Sequence, residues 1–195
     1  MSVTNRLLSL GRRPEGRLHE SDFRLLEQRL PDLADGQVLV RNTWLSIDPS
    51  IRIRLQPRTP AGYMPPFEIG EPLVGLALGV VQESRHDDFT PGQTVSHMYG
   101  YRDYAVVQPD GQTIGGYGAL ATITQNEFPT QWQLGPLGSS GLTAYAGLTA
   151  VANLQPSDTV WISAAAGAVG SIAAQLAKLR GATVIGSAGS PDKVD

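Results

Sequence analysis

At 195 residues, with 41% hydrophobic and 17% charged content, the chain has the composition of an ordinary globular protein with room for one large or two small domains. A formal net charge of -3 provides no Lys/Arg stripe to neutralise phosphates, which argues against nucleic acid as a partner. The absence of cysteine removes disulfides, thiolate nucleophiles and every Cys-based zinc site at once.

In chain order, Met1–Leu10 is too polar for a signal peptide, and no run approaches the roughly 18 apolar residues of a spanning helix. A cytoplasmic protein with no membrane partner is therefore expected. Glu20–Leu30 mixes charges and leucines without clean periodicity and reads as extended. Gln37–Leu45, introduced by Asp35-Gly36, reads as a strand. Arg52, Arg54 and Arg58 form the densest basic patch and read as a solvated edge. Val74–Val81 carries two glycines inside a β-branched run, as expected of a strand whose backbone is bulged or closely approached. A Pro-Gly turn at Pro91-Gly92 precedes a short strand, and Arg102–Val107 forms another with Tyr104 and Val106 on one face. Short strands separated by Gly/Pro turns predict a compact β domain, a barrel.

The texture changes after about Gln125. Leu142–Val151 reads as a helix, Gln155-Pro-Ser-Asp158 as a turn and Thr159–Ser163 as a buried-type strand. Ser171–Leu179 places Ile172, Ala173, Leu176, Ala177 and Leu179 on a helical face. Lys178 and Arg180 suit the negative end of its dipole, and Gly181 supplies the C-terminal cap. Ala182–Gly186 is a second strand. This is one βαβ unit, which on its own leaves a sheet face and both edges uncovered. The expectation is of a truncated chain whose natural protein continues for about 130–150 residues, completing a doubly wound parallel sheet.

Between that first strand and the helix lies Ala165-x-Gly167-x-x-Gly170, with Ala at the first glycine of the usual G-x-G-x-x-G. The strand–turn–helix context suits a dinucleotide pyrophosphate, with Gly167 allowing close approach and Gly170 close helix–strand packing. An ordinary turn of an unrelated α/β protein is the alternative reading. About 20 residues beyond the glycines an NAD site usually carries an acid for the ribose hydroxyls. Here that region holds Gly186 and Ser187, followed by Ser190 and Lys193, whose hydroxyl and charge suit a 2′-phosphate. NADP(H) is thus favoured over NAD(H), although Lys193 also reads as a solvated lysine at a helix start.

Five stretches carry a family resemblance: Asn42–Pro49, Tyr63-Met-Pro-Pro-Phe67 leading to Gly70, Gly141–Leu148, Ala164–Leu179 and Gly189-Ser190-x-x-Lys193. In these the chain resembles the medium-chain dehydrogenase/reductase superfamily, specifically its zinc-independent NADPH-dependent alkenal/one and prostaglandin reductases. The resemblance implies a fold of class α/β plus β. Residues 1–125 would form a GroES-like β-barrel domain, completed by a C-terminal segment, and residues 126–195 the start of a Rossmann domain. It places Thr143 on the nicotinamide side, and Gly167, Ala168, Val169 and Gly170 at the pyrophosphate turn. Ser190 and Lys193 approach the adenosine phosphate.

Zinc-dependent relatives carry a ligand Cys soon after the strand near Thr43, where this chain reads Leu45-Ser-Ile-Asp-Pro49. His19, His86 and His97 are not spaced as a metal cluster, so no metal is expected. One departure is visible: Asp48-Pro49-Ser50-Ile51-Arg52 stands where many members read Asp-Pro-Tyr-Met-Arg, which reshapes the substrate cleft. The activity implied is reduction of a carbon–carbon double bond conjugated to a carbonyl in a small enal or enone. Tyr63 is the candidate catalytic hydroxyl, with cleft packing as its other reading. An NADPH quinone oxidoreductase and a catalytically silent NADPH-binding scaffold are the alternatives. A homodimer is ordinary for that family, and isolated residues 1–195 are expected to be inactive.

Overall fold

The computed structural model of the protein describes residues 4–111, 120–124 and 127–194. Two compact units divide the chain, Met1–Gln125 and Asn126–Asp195, and the boundary residues 125 and 126 lie outside the described ones.

In the first unit, β1 (Thr4–Leu10) pairs antiparallel with β2 (Phe23–Arg29). The inward side chains of β1 include Asn5 and Ser9 as well as Leu7, so polar residues hide its period-2 pattern. Both are satisfied. The Asn5 amide donates to the Tyr104 carbonyl at 2.9 Å and accepts from the Tyr104 N–H at 2.9 Å, while the Ser9 hydroxyl donates to the Arg24 carbonyl at 3.3 Å.

Next come β3 (Val38–Leu45), α1 (Pro49–Arg54), β4 (Ala77–Ser84), β5 (Thr94–His97), β6 (Tyr104–Val107) and β7 (Ala121–Thr122). Among the described residues these strands form a five-stranded antiparallel sheet in the order β6-β3-β4-β5-β7. Isolated bridges from Leu7 to Arg102 and from Ser9 to Pro72 attach the β1–β2 hairpin beside it. Val38, Val40, Val81, Val95, Ala105 and Val107 bury one face of the sheet. The strand expected from Val74 starts at Ala77, since Gly75 joins only an isolated bridge with Tyr99. The close approach expected of its glycines is present: a Cβ on Gly79 would lie 2.4 Å from Val40 Cγ1, and the register shifts next to Asn42.

Sequence periodicity does not reveal α1, which is too short to show a repeat. Its start is nevertheless chemically defined by Pro49 in the first turn and by Asp48, whose carboxylate accepts the Ser50 N–H at 2.7 Å. The helix carries Arg54 inward. The expectation of a solvated arginine edge is therefore corrected at Arg54, which is buried against the Phe67 ring, whereas Arg58 is exposed.

In the second unit, α2 (Ser139–Ala146) starts three residues before the expected Leu142 and runs on into a π-helical turn at Gly147–Val151. Then β8 (Thr159–Ile162), α3 (Ala168–Leu179) and β9 (Thr183–Gly186) form the βαβ unit, with Val160 opposite Val184 in parallel register. Its core is built on small residues. Ala173 and Ala177, one turn apart on α3, meet Ala144 and Leu148, with Val160, Ile162 and Val184 packed against them. The alternate strand residues Trp161 and Ile185 face the other way and are 71% and 53% exposed. Arg180 ends α3, followed by Gly181 at φ +86°.

Candidate functional site

The turn after β8 is held at both ends. Gly167 donates its N–H to the Ala164 carbonyl at 2.8 Å, Ala165 donates to the Ser187 carbonyl at 2.9 Å, and Ser187 donates to the Ile162 carbonyl at 3.0 Å. The turn and the residue following β9 are therefore one hydrogen-bonded assembly. Ala164 takes a left-handed φ of 50°, a conformation that costs an L-residue about 1–2 kcal/mol. Ala165, at the position usual for the first glycine, finds room opposite Gly186, where an added Cβ would lie 2.8 Å from the Ala165 Cβ.

Helix α3 then opens with Gly167 as N-cap, with no side-chain cap and no acidic residue in its first turn. The leading N–H groups, on Ala168, Val169 and Gly170, together with the positive dipole end, are suited to an anion. A Cβ on Gly170 would stand 2.3 Å from the Ala164 carbonyl oxygen and 2.9 Å from the Ala165 Cα. Only glycine lets the helix start lie this close to the turn. The donor set fits a dinucleotide pyrophosphate.

Beyond β9, Ala188, Gly189, Ser190, Pro191, Asp192 and Val194 line an open cavity of about 590 Å³. Ser190 caps a short 3₁₀ turn over Pro191–Lys193 without a side-chain hydrogen bond. Lys193 is exposed, does not line the cavity, and forms no ion pair among the described residues. Asp192 does line it, and its carboxylate offsets positive charge at this rim. Thr143 is exposed on α2, and the same helix borders an apolar groove with Ile172 and Leu176 of α3.

Tyr63 belongs to the first unit. It ends a turn in which Gly62 takes φ +78° and the Tyr63 N–H donates to the Pro60 carbonyl at 3.1 Å. The residue is 37% exposed. Under the following residues lies Arg54, whose guanidinium stands 3.9 Å over the Phe67 ring and whose Nε donates to the Pro65 carbonyl at 2.8 Å. Burial lowers the Arg54 pKa from its usual value, and the nearby Tyr63 acts in the opposite direction. No sequence signal marked this arginine, because its burial follows from the inward turn of α1. Nearby, Tyr101 has φ 60° and a pKa raised first by burial and then by Asp48.

Residues 6–114 match the family described as the N-terminal domain of oxidoreductase. That span is more than half of the chain. The chain belongs to this oxidoreductase family, in its zinc-independent medium-chain dehydrogenase/reductase branch. It is 35% identical to the NADPH-dependent curcumin reductase of Escherichia coli, covering 97% of this chain and 52% of that protein. It is also 35% identical to the NADP(+)-dependent 2-alkenal reductase of Nicotiana tabacum, covering 99% of this chain and 55% of that one. The crystal structure of CurA from Vibrio vulnificus in complex with NADPH superposes with a TM-score of 0.82 at 33% identity, covering 96% of this chain and 52% of the other. The chain thus spans about half the length of the relatives it matches. Among the described residues no cluster of three or more His, Cys, Asp or Glu is placed to hold a metal ion.

Proposed function

We propose that the intact protein reduces the carbon–carbon double bond of α,β-unsaturated aldehydes or ketones with NADPH and without zinc. The observation that carries this reading is the uncapped start of α3, pinned to a strand end at Gly186-Ser187 that bears no acid. Similarity to an NADPH-dependent curcumin reductase and a 2-alkenal reductase supports the substrate class.

In this reading the N–H groups of Ala168, Val169 and Gly170 hold the pyrophosphate, Ser190 and Lys193 receive the 2′-phosphate, and Thr143 lies toward the nicotinamide. When bound, the nicotinamide supplies the hydride for the substrate β-carbon. The protein's task is the charge that develops on the carbonyl oxygen as the enolate forms. A hydroxyl positioned for that charge lowers the barrier more than one bound equally to the ground state. Tyr63 has the exposure and loop setting for this donor role, and proton delivery to the α-carbon completes the saturated carbonyl. Small-molecule enals and enones are the partners, and a homodimer and a cytoplasmic setting belong to the same reading. No described helix is long and apolar enough to cross a membrane.

A cofactor-and-acceptor panel on the intact protein tests this. Enals and enones should be turned over with NADPH in preference to NADH, and Lys193→Ala should weaken NADPH much more than NADH. Reduction of quinones with neglect of enals and enones would make the protein a quinone reductase instead. NADPH binding without turnover of either class would make it a scaffold. Equal small effects of Lys193→Ala on both nucleotides would remove the phosphate role.

A further inference from the structure

Arg54 is 5% exposed, yet it takes part in no ion pair among the described residues. Its Nη1 is buried without a hydrogen-bond partner. A charge withdrawn from water without a counter-ion costs several kcal/mol, and an unbranched apolar side chain would fill the same space without that cost. Stability alone therefore does not account for arginine at this position.

What the side chain does make is a set of contacts to one short loop. The guanidinium stacks over Phe67 at 3.9 Å, and Nε donates to the Pro65 carbonyl at 2.8 Å. The Arg54 backbone carbonyl accepts the Phe67 N–H at 2.8 Å. Pro65 and Pro66 have fixed φ angles, so immobilising Pro65 and Phe67 is transmitted along the chain. Tyr63 is two residues away, with the Pro60–Tyr63 hydrogen bond restraining its other side. The loop is thus clamped on both flanks of Met64, and one clamp is Arg54.

We propose that Arg54 is a positioning residue, clamping the Tyr63–Phe67 loop so that the Tyr63 hydroxyl is held for hydrogen bonding to the substrate carbonyl. This rests on the role proposed above for Tyr63. Arginine suits the task because its planar fork can stack on a ring and donate in its own plane at the same time. Methionine keeps the length and apolar packing but loses the donor and the charge.

Two readouts test the clamp. In hydrogen exchange on the intact protein, Arg54→Met should speed exchange at the Tyr63 and Phe67 amides about tenfold, while β3 and β4 keep their protection. In kinetics, Arg54→Met should lower kcat for an enone about tenfold, as expected for a slightly misplaced catalytic group, with the NADPH Kd unchanged. Tyr63→Phe should mask this loss, so that the double variant is no slower than Tyr63→Phe alone, and Arg54→Lys should recover part of the rate. Additive kcat losses, or unchanged loop exchange, would overturn the proposal. If Arg54→Met does not fold, Phe67→Leu removes only the ring beneath the guanidinium and must give the same loop release and the same masking, or the proposal fails. A wild-type protein without enone turnover would sink the reductase reading. Loop exchange would still decide whether Arg54 is a clamp.

Discussion

The two units bury their apolar residues in different ways. In the first, large aliphatic side chains are closed off completely: Leu10, Val38, Val40, Leu55, Val95 and Val107 are each 0% exposed. In the second, the buried set is Ala144, Leu148, Ala173, Ala177 and Ala182, and Trp161, Ile185 and Leu179 remain exposed. Hydrophobic stabilisation scales with the apolar area removed from water, and an alanine methyl removes little. The first unit is therefore a packed scaffold. In the second, the alanines let α2 and α3 approach closely, and this unit carries the uncapped start of α3.

The sharpest way to break this contrast is to hollow the first unit. Leu55→Ala should destabilise it by about 2–5 kcal/mol, read as loss of protection in β3 and β4 by hydrogen exchange. Unchanged protection there would mean that the valine face alone holds the unit.

A pH titration sharpens the same point. His97 is 1% exposed, and burial first, then Arg102, lowers its pKa to about 4 from the usual 6.5. The unfolded chain binds this proton more readily, so the contribution to stability is complete above about pH 6.5 and is lost as pH falls toward 4. The loss should approach about 3 kcal/mol, and it should be absent in His97→Gln. A first unit equally stable at pH 4.5 and 7 would show that His97 is not held neutral.

The smallest effects belong to the turn. Gly170→Ala should cost the second unit about 1–3 kcal/mol because the new methyl meets the Ala164 backbone. Ala164→Gly relieves a left-handed residue and should raise stability by no more than about 1 kcal/mol, since glycine also gains freedom in the unfolded chain. Both changes are measurable as shifts in exchange of the α3 amides.

Much of the second unit was legible because two short apolar runs flank a helix with a clear apolar face, and the glycine turn lies between the first run and that helix. The first unit was less legible for physical reasons that can be named. Asn5 and Ser9 face inward on β1, satisfied by partners distant in sequence, so the strand has no apolar alternation to read. Six residues of α1 cannot display a helical period, though Asp48-Pro49 was a cap signal in plain view. The burial of Arg54 depends on where Phe67 and Pro65 return in space, which sequence does not carry. At the candidate site, the glycine turn was evident from residue types alone, whereas the short 3₁₀ turn over Pro191–Lys193 was not.

The closeness of Gly170 to the turn, where an added Cβ would stand 2.3 Å from the Ala164 carbonyl oxygen, also has a consequence for engineering. Residues 164 and 170 behave as a single part, because neither backbone can be rebuilt without disturbing the other. Ala188, Gly189, Ser190, Pro191, Asp192 and Val194 line a cavity that neither of these residues borders. If Ser190 and Lys193 hold the 2′-phosphate as proposed, a redesign of nucleotide preference should change residues 188–194 and leave 164–170 untouched.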